Sequence, residues 1–252
     1  MDTPPLTRAL SFGRGAAEYD RVRPEYSPEA LDLVVDRLGL GSDAEVLDLG
    51  AGTGKLTRPL TERFARVIAV EPDPDMRALL SQVTDCYLVL EGRAEAIPLA
   101  DESVDAVFVG QAFHWFEHDE ALPEIARVLR PRGGLVLIWN GWTAPEPQPP
   151  EAAREIMRDV LERAALAPVR DRSKWQKDFD ASPFEPLREE EIPTRKLAYS
   201  GDDLVTLNLS TSPFGMLPPD EFAVVEAELR RLVEGSYRVP VETRLYWTRL
   251  AK

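Results

Sequence analysis

EVLDLGAGTG, Glu45 to Gly54, is a short apolar run that empties into a turn of alternating glycines, and this stretch decides the fold. A strand that ends in glycines and turns at once into a helix opens a doubly wound α/β sheet, whose ligands collect beyond the carboxyl ends of the strands. Glycine permits positive φ and removes the side chain, so the backbone there can turn sharply and approach a ligand. Outward from this turn, RVIAVEP (66–72), YLVLEG (87–92), VDAVFVG (104–110) and GLVLIWN (134–140) are apolar throughout instead of alternating. Such runs predict parallel strands buried on both faces. Helical patterns fall between them at Lys55 to Phe64, Asp75 to Gln82 and Glu120 to Leu129, the last with Leu122, Ile125, Ala126 and Leu129 on one face. Upstream, Ser27 and Pro28 read as the N-cap and first position of a helix that runs to Leu38 and stops at Gly39. That helix is expected to cover one face of the sheet.

The pattern changes at TAPEPQPP (143–150), where four prolines forbid a continuing helix or central strand. Beyond this linker, Glu151 to Leu166 reads as a helix, Thr194 to Tyr199 as a strand, Glu221 to Glu234 as a helix and Val239 to Leu250 as a final strand. The expected architecture is Rossmann-like α/β: a doubly wound, seven-stranded, mostly parallel sheet with a C-terminal helical lid. Residues 1–252 are read as one domain, with a ligand-binding core and N-terminal cap in 1–142, the linker, strand and lid in 143–238, and the last sheet strand in 239–252.

Composition narrows the function. The chain of 252 residues carries 44 acidic against 30 basic side chains, a formal charge of −14, which disfavours nucleic acid as a partner. No apolar run approaches the roughly 18 residues of a membrane span, and the first residues lack a signal-peptide pattern, so a cytoplasmic protein without a membrane partner is expected. A single cysteine, Cys86, allows neither an internal disulfide nor a cysteine-rich zinc site.

Three ligands compete for the glycine turn. A phosphate loop anchored on Gly54 and Lys55 needs glycine at 49 and Ser or Thr at 56, and both positions are leucine. A dinucleotide fingerprint starting at Gly50 and Gly52 needs its third glycine at 55, where lysine stands. The third ligand is S-adenosylmethionine (SAM), whose cationic amino and sulfonium end suits an acid opening the loop, here Asp48. Glu71 closes the second strand, where a carboxylate can accept both ribose hydroxyls.

VLDLGAGTGKLTRPL (46–60), VIAVEPDPDM (67–76), GRAEAIPLADESVDAVF (92–108) and EIARVLRPRGGLVLI (124–138) resemble, in order and spacing, the signature segments of small-molecule class I SAM-dependent methyltransferases of the type 11-like kind. The likeness extends over about Tyr19 to Asn140. It implies that SAM is held by Asp48, Gly50, Ala51, Gly52, Glu71 and Pro72, with Gln111 at the exit of the fourth strand, and leaves as S-adenosylhomocysteine. That family often places an acid after the glycine of the third strand to meet the adenine. Here Gly92 is followed by Arg93, which cannot accept a hydrogen bond, so the contact falls to Ala94, Glu95 or backbone. Met76 is either apolar surface for the purine or helix core. FGRGAAEYDRVRPEYS (12–27) resembles the opening segment of a subgroup acting on small acids and related metabolites, marked by Tyr19, Arg23 and Tyr26. Such a segment folds over the cofactor, and Arg23 is expected either to fork onto the SAM carboxylate or to form a surface ion pair.

The fourth strand empties into Gln111, Ala112, Phe113, His114, Trp115 and Phe116. His114 is the candidate catalytic base, or with Trp115 a wall of the pocket. His114 to His118 also spells H-x-x-E-H, a zinc-protease string that must lie on one helix face. The strand ends too close for that, Asp119 reads as the N-cap of the next helix and no third ligand is indicated, so no metal is expected. Gly201 to Leu217 and Trp139 to Trp142 are the expected substrate walls, with Ser210, Thr211 and Ser212 mainly capping turns. The expected function is SAM-dependent O- or N-methylation of a small-molecule acceptor by a monomer or homodimer, the alternative being a non-catalytic scaffold of the same fold.

Overall fold

The computed structural model describes residues 16–165 and 175–251. The chain divides into two compact units, each assembled from separate stretches.

The first comprises Glu25–Gly141, Arg172–Pro193 and Thr243–Lys252, within the described residues. Its centre is a parallel sheet of β1 (Glu45–Leu49), β2 (Arg66–Val70), β3 (Leu88–Leu90), β4 (Val104–Gly110) and β5 (Leu129–Trp142), in the order β3-β2-β1-β4-β5. The direction of winding reverses between β1 and β4, which opens the crevice at their carboxyl ends. Because the side-chain period of a strand is two, neighbouring residues feed opposite faces. Val46, Ala106, Phe108, Val136 and Ile138 pack with Ala30, Leu31, Val34 and Leu38 of α2 (Pro28–Leu38) on one face. On the other, Leu47, Leu49, Val107, Val109, Leu135 and Leu137 pack with Ala121, Leu122, Ile125 and Val128 of α5 (His118–Val128).

Helix α2 has the caps expected of its sequence: Ser27 Oγ accepts from Ala30 N, and Gly39 takes the left-handed conformation at the C-cap. Between the strands, α3 (Thr57–Thr61) is shorter than the predicted 55–64, since the chain spends the preceding residues in the glycine turn. Helix α4 (Pro74–Val83) is capped by Asp73, whose side chain accepts from Asp75 N and Met76 N. The expected N-cap at Asp119 is corrected: α5 begins at His118 with Glu117 as its N-cap, which makes no side-chain cap bond of its own. The carboxylate of Glu95, distant in sequence, receives the Glu117 N–H instead. An eighth strand completes the sheet, one more than expected. This β6 (Arg188–Glu191, REEE) has no apolar alternation to betray it and is held by antiparallel pairing with the second half of β8 (Ser236–Arg249).

The second unit comprises Met1–Pro24, Trp142–Asp171 and Thr194–Glu242, within the described residues. It contains α1 (Ala16–Val22), α6 (Glu151–Ala165), β7 (Arg195–Ser200), α7 (Gly201–Leu209), α8 (Ser212–Gly215), α9 (Pro219–Leu232) and the first half of β8, which pairs antiparallel with β7. Leu166, the predicted end of α6, lies outside the described residues. Its core gathers Val22, Ala153, Val160, Leu204, Leu207, Phe214, Leu229 and Val239. Among the described residues no helix is long and apolar enough to cross a membrane.

Replacement of Leu31 by alanine is expected to lose about 2–5 kcal/mol of stability in urea unfolding, because its buried side chain joins α2 to the sheet. Ser27→Ala, which removes only a cap bond, is expected to lose about 1 kcal/mol. Equal small losses would show that α2 does not seal that face.

Candidate functional site

The turn after β1 is made possible by glycine. Gly50, Gly52 and Gly54 have φ of 72°, 57° and 87°. Gly50 N and Ala51 N both donate to Val70 O, at 2.9 and 3.1 Å, drawing the turn across the end of β2. A Cβ at position 50 would lie 2.8 Å from Ala112 Cβ, and one at 54 would lie 2.7 Å from Leu80 Cδ1, so neither position tolerates a side chain. Met76 is buried, and its Sδ stands 3.8 Å from where a Cβ of residue 52 would be, beneath the turn.

Two buried acids flank this turn. Glu71 Oε2 accepts from Gly52 N at 2.7 Å and Oε1 from Asp73 N at 2.8 Å. Each oxygen keeps a second acceptor site. Burial pushes this carboxyl above its ordinary range, with neighbouring Asp73 adding and the two backbone bonds opposing. Asp48 is fully buried; its Oδ2 accepts from Thr57 Oγ1 at 2.6 Å, while Oδ1 is buried without a hydrogen-bond partner among the described residues. Burial foremost, and the charge of Glu71, raise the Asp48 carboxyl to about 7. Thr57 is a site residue that sequence reasoning missed: the hydroxyl sought at position 56 for a phosphate loop stands one residue later and faces the acid.

The remaining predicted contacts divide. Ala94 is buried beside the sheet. Glu95 accepts from Glu117 N at 2.9 Å and from Arg93 Nε at 3.2 Å. The carbonyl of Pro72 accepts from Arg77 Nη1 at 3.0 Å. Gln111, first residue beyond β4, has φ 58°, a left-handed conformation that costs a non-glycine residue energy and concentrates at functional sites. It is held there by Gln111 N donating to Ile138 O at 3.0 Å and Nε2 donating to Asn140 O at 2.7 Å. Asn140 is itself fixed, donating from Nδ2 to Glu25 O and accepting from Thr243 Oγ1. Tyr26 is buried with its hydroxyl against Gly110, at the same strand end.

His114 lies in a 3₁₀ turn, Phe113–Trp115, half-buried and with its ring 4.7 Å from that of Trp115. His118 begins α5, so the two histidines of the H-x-x-E-H string sit on different elements instead of one helix face. Both ring nitrogens of His118 are engaged, Nδ1 with Asp178 Oδ2 and Nε2 with the Phe113 carbonyl.

In the second unit, Arg23 is held by Ser210 and by two aromatic rings. Its Nε and Nη2 donate to Oγ and O of Ser210, at 3.0 and 2.7 Å, and its guanidinium stacks 4.8 Å over Tyr19 and 4.9 Å over Trp142. Ser210 and Thr211 also cap α7, donating to Leu207 O and Asn208 O.

The methyltransferase domain model matches residues 47–137, the stretch that carries the glycine turn, both acids and the β4 exit. An uncharacterized methyltransferase of Schizosaccharomyces pombe is 35% identical over 228 residues, covering 89% of this chain and 87% of that protein. The chain belongs to the methyltransferase family. An uncharacterized methyltransferase of Mycobacterium tuberculosis is 51% identical over 132 residues, 52% of this chain; the chain thus spans about half (53%) of that relative. Among solved structures, a phosphoethanolamine N-methyltransferase of Haemonchus contortus, in complex with phosphomonomethylethanolamine and S-adenosylhomocysteine, has TM-score 0.57 at 15% identity, over 95% of this methyltransferase and 58% of that chain. That likeness is one of fold.

The buried acid gives this methyltransferase a pH signature. Folded Asp48 titrates near 7 against 3.8 for an ordinary aspartate, so the folded state holds the extra proton between these values. Its contribution to stability is full below the lower value and is lost as pH rises through the upper one. Asp48→Asn is expected to lose less melting temperature than the parent across that window. Parallel declines, measured by circular dichroism, would show that Asp48 ionises normally.

Proposed function

We propose that the protein is a SAM-dependent methyltransferase that transfers a methyl group to an oxygen or nitrogen of a small-molecule metabolite, leaving S-adenosylhomocysteine. The observation that carries this reading is the pair of acids at the glycine turn: Glu71, preset by Gly52 N and Asp73 N with acceptor capacity to spare, and Asp48, with an unsatisfied buried oxygen. A cationic, hydroxyl-rich ligand suits both, and a phosphate suits neither. At Gly52 a Cβ would stand 3.8 Å from Met76 Sδ, an ordinary contact, so the backbone there fits close approach of such a ligand.

In this reading Gly50, Ala51 and Gly52 provide the backbone surface, Glu71 accepts the ribose hydroxyls and Asp48 balances the positive end. Pro72, Ala94 and Gln111 complete the pocket wall, while Glu95 acts through Glu117 and Arg93 instead of touching adenine. SAM, when bound, supplies a methyl group already activated on a sulfonium, so the protein's work is alignment, exclusion of water and removal of a proton. His114 is the group that removes it, with Trp115 and Phe116 keeping the turn apolar. Tyr19 and Arg23 enter this reading through the resemblance of their segment. The charge of −14 supports a metabolite over a nucleic acid. We further propose a cytoplasmic monomer or homodimer.

Calorimetry with S-adenosylhomocysteine tests the cofactor: the parent should bind at one site, and Glu71→Ala should weaken binding about 10- to 100-fold, the cost of losing hydrogen bonds to a charged group. A parent that binds neither SAM nor S-adenosylhomocysteine sinks the proposal. With an acceptor found in a panel of small carboxylates, phenols and amines, His114→Ala should lower kcat about 100-fold or more while cofactor affinity holds.

A further inference from the structure

His118 has no part in that chemistry, yet its setting is specific. Its side chain is 9% exposed, and its ring lies on that of Phe113 with centroids 4.5 Å apart and planes 11° from parallel. Nε2 is 3.0 Å from the Phe113 carbonyl oxygen, and Nδ1 is 2.6 Å from Asp178 Oδ2. A carbonyl only accepts, so Nε2 carries a hydrogen; an ionised carboxylate only accepts, so Nδ1 carries one too. The Asp178 side chain is 41% exposed. A ring that donates from both nitrogens is an imidazolium, whose charge-assisted bonds are about twice as strong as neutral ones.

The carbonyl it grips belongs to the peptide between Phe113 and His114. We propose that His118 is a positioning residue, a doubly donating imidazolium that ties the turn bearing His114 to the turn Trp175–Phe179, so that the setting of His114 depends on the proton His118 holds. The functional meaning rests on His114 acting as proposed above. When the proton leaves, a lone pair faces either the carboxylate or the carbonyl, and one of the two bonds is lost. Among the described residues, the titratable and charged groups on the elements packed around the ring are His114, Lys177, Asp178 and Glu95, with Glu117, Asp119 and Glu120 beside it in sequence; Asp178 is the one bonded to the ring.

The chain has two histidines, so nitrogen-15 imidazole spectra of the ligand-free protein contain two ring systems. Near neutral pH, His118 is expected to show two protonated nitrogens with slowly exchanging hydrogens. As pH rises, the His114 signals should shift with the midpoint of His118. In Asp178→Asn the side-chain amide can donate to Nδ1, so a neutral ring keeps both bonds, and His114 should keep its parental signals at neutral pH and no longer follow the titration. His118→Ala should leave the His114 signals broadened and displaced; should that variant not fold, Asp178→Asn and the parental titration decide. A neutral His118 ring in the parent at neutral pH, or parental His114 signals that stay put while the His118 ring loses its proton, overturns the proposal. Calorimetry with S-adenosylhomocysteine on the same samples separates the two ideas: a parent that fails to bind it sinks the cofactor assignment, while the ring spectra still decide the clamp.

Discussion

Everything at the site depends on a backbone crossing too narrow for side chains. The chain leaving β1 must pass over Val70 O, which takes both Gly50 N and Ala51 N, and under Ala112, which leaves no room for a Cβ at position 50. Once that crossing is made, Gly52 N points at Glu71, and the residue just beyond β2 and the turn after β1 become a single hydrogen-bonded object. The acid is thereby fixed by main-chain donors, so no second side chain has to be ordered to hold it. The left-handed Gln111 at the end of β4 shows the same economy: strain at one residue is held by a neighbouring carbonyl and a buried asparagine.

The parts of this arrangement visible in the sequence were those with short-range causes. The apolar runs that became β1, β2, β4 and β5, the Ser27-Pro28 start and Gly39 stop of α2, and the glycines and acids of the turn all express local rules of burial, capping and positive φ. What escaped had a distant cause. β6 reads REEE and exists because β8 offers it an edge. The start of α5 is set by Glu95, reaching from the loop after β3, and no rule of local capping could name it. Thr57 was one residue away from a position inspected for another ligand. The bonds of Arg23 to Ser210 and its stacking on Trp142 likewise join residues far apart in sequence.

The H-x-x-E-H string illustrates why spacing without conformation has little meaning. Helical spacing would put its two histidines on one face; a 3₁₀ turn followed by a fresh helix start puts them on two elements with different surroundings. His114 stands in the turn next to Trp115, and His118 is stacked and doubly bonded, so identical side chains four residues apart are given different surroundings.

Each of the two compact units is built from three separate stretches of chain, and β8 contributes one half to each. No single cut in the sequence therefore releases either unit, and no simple recombination event can transplant one of them onto another partner.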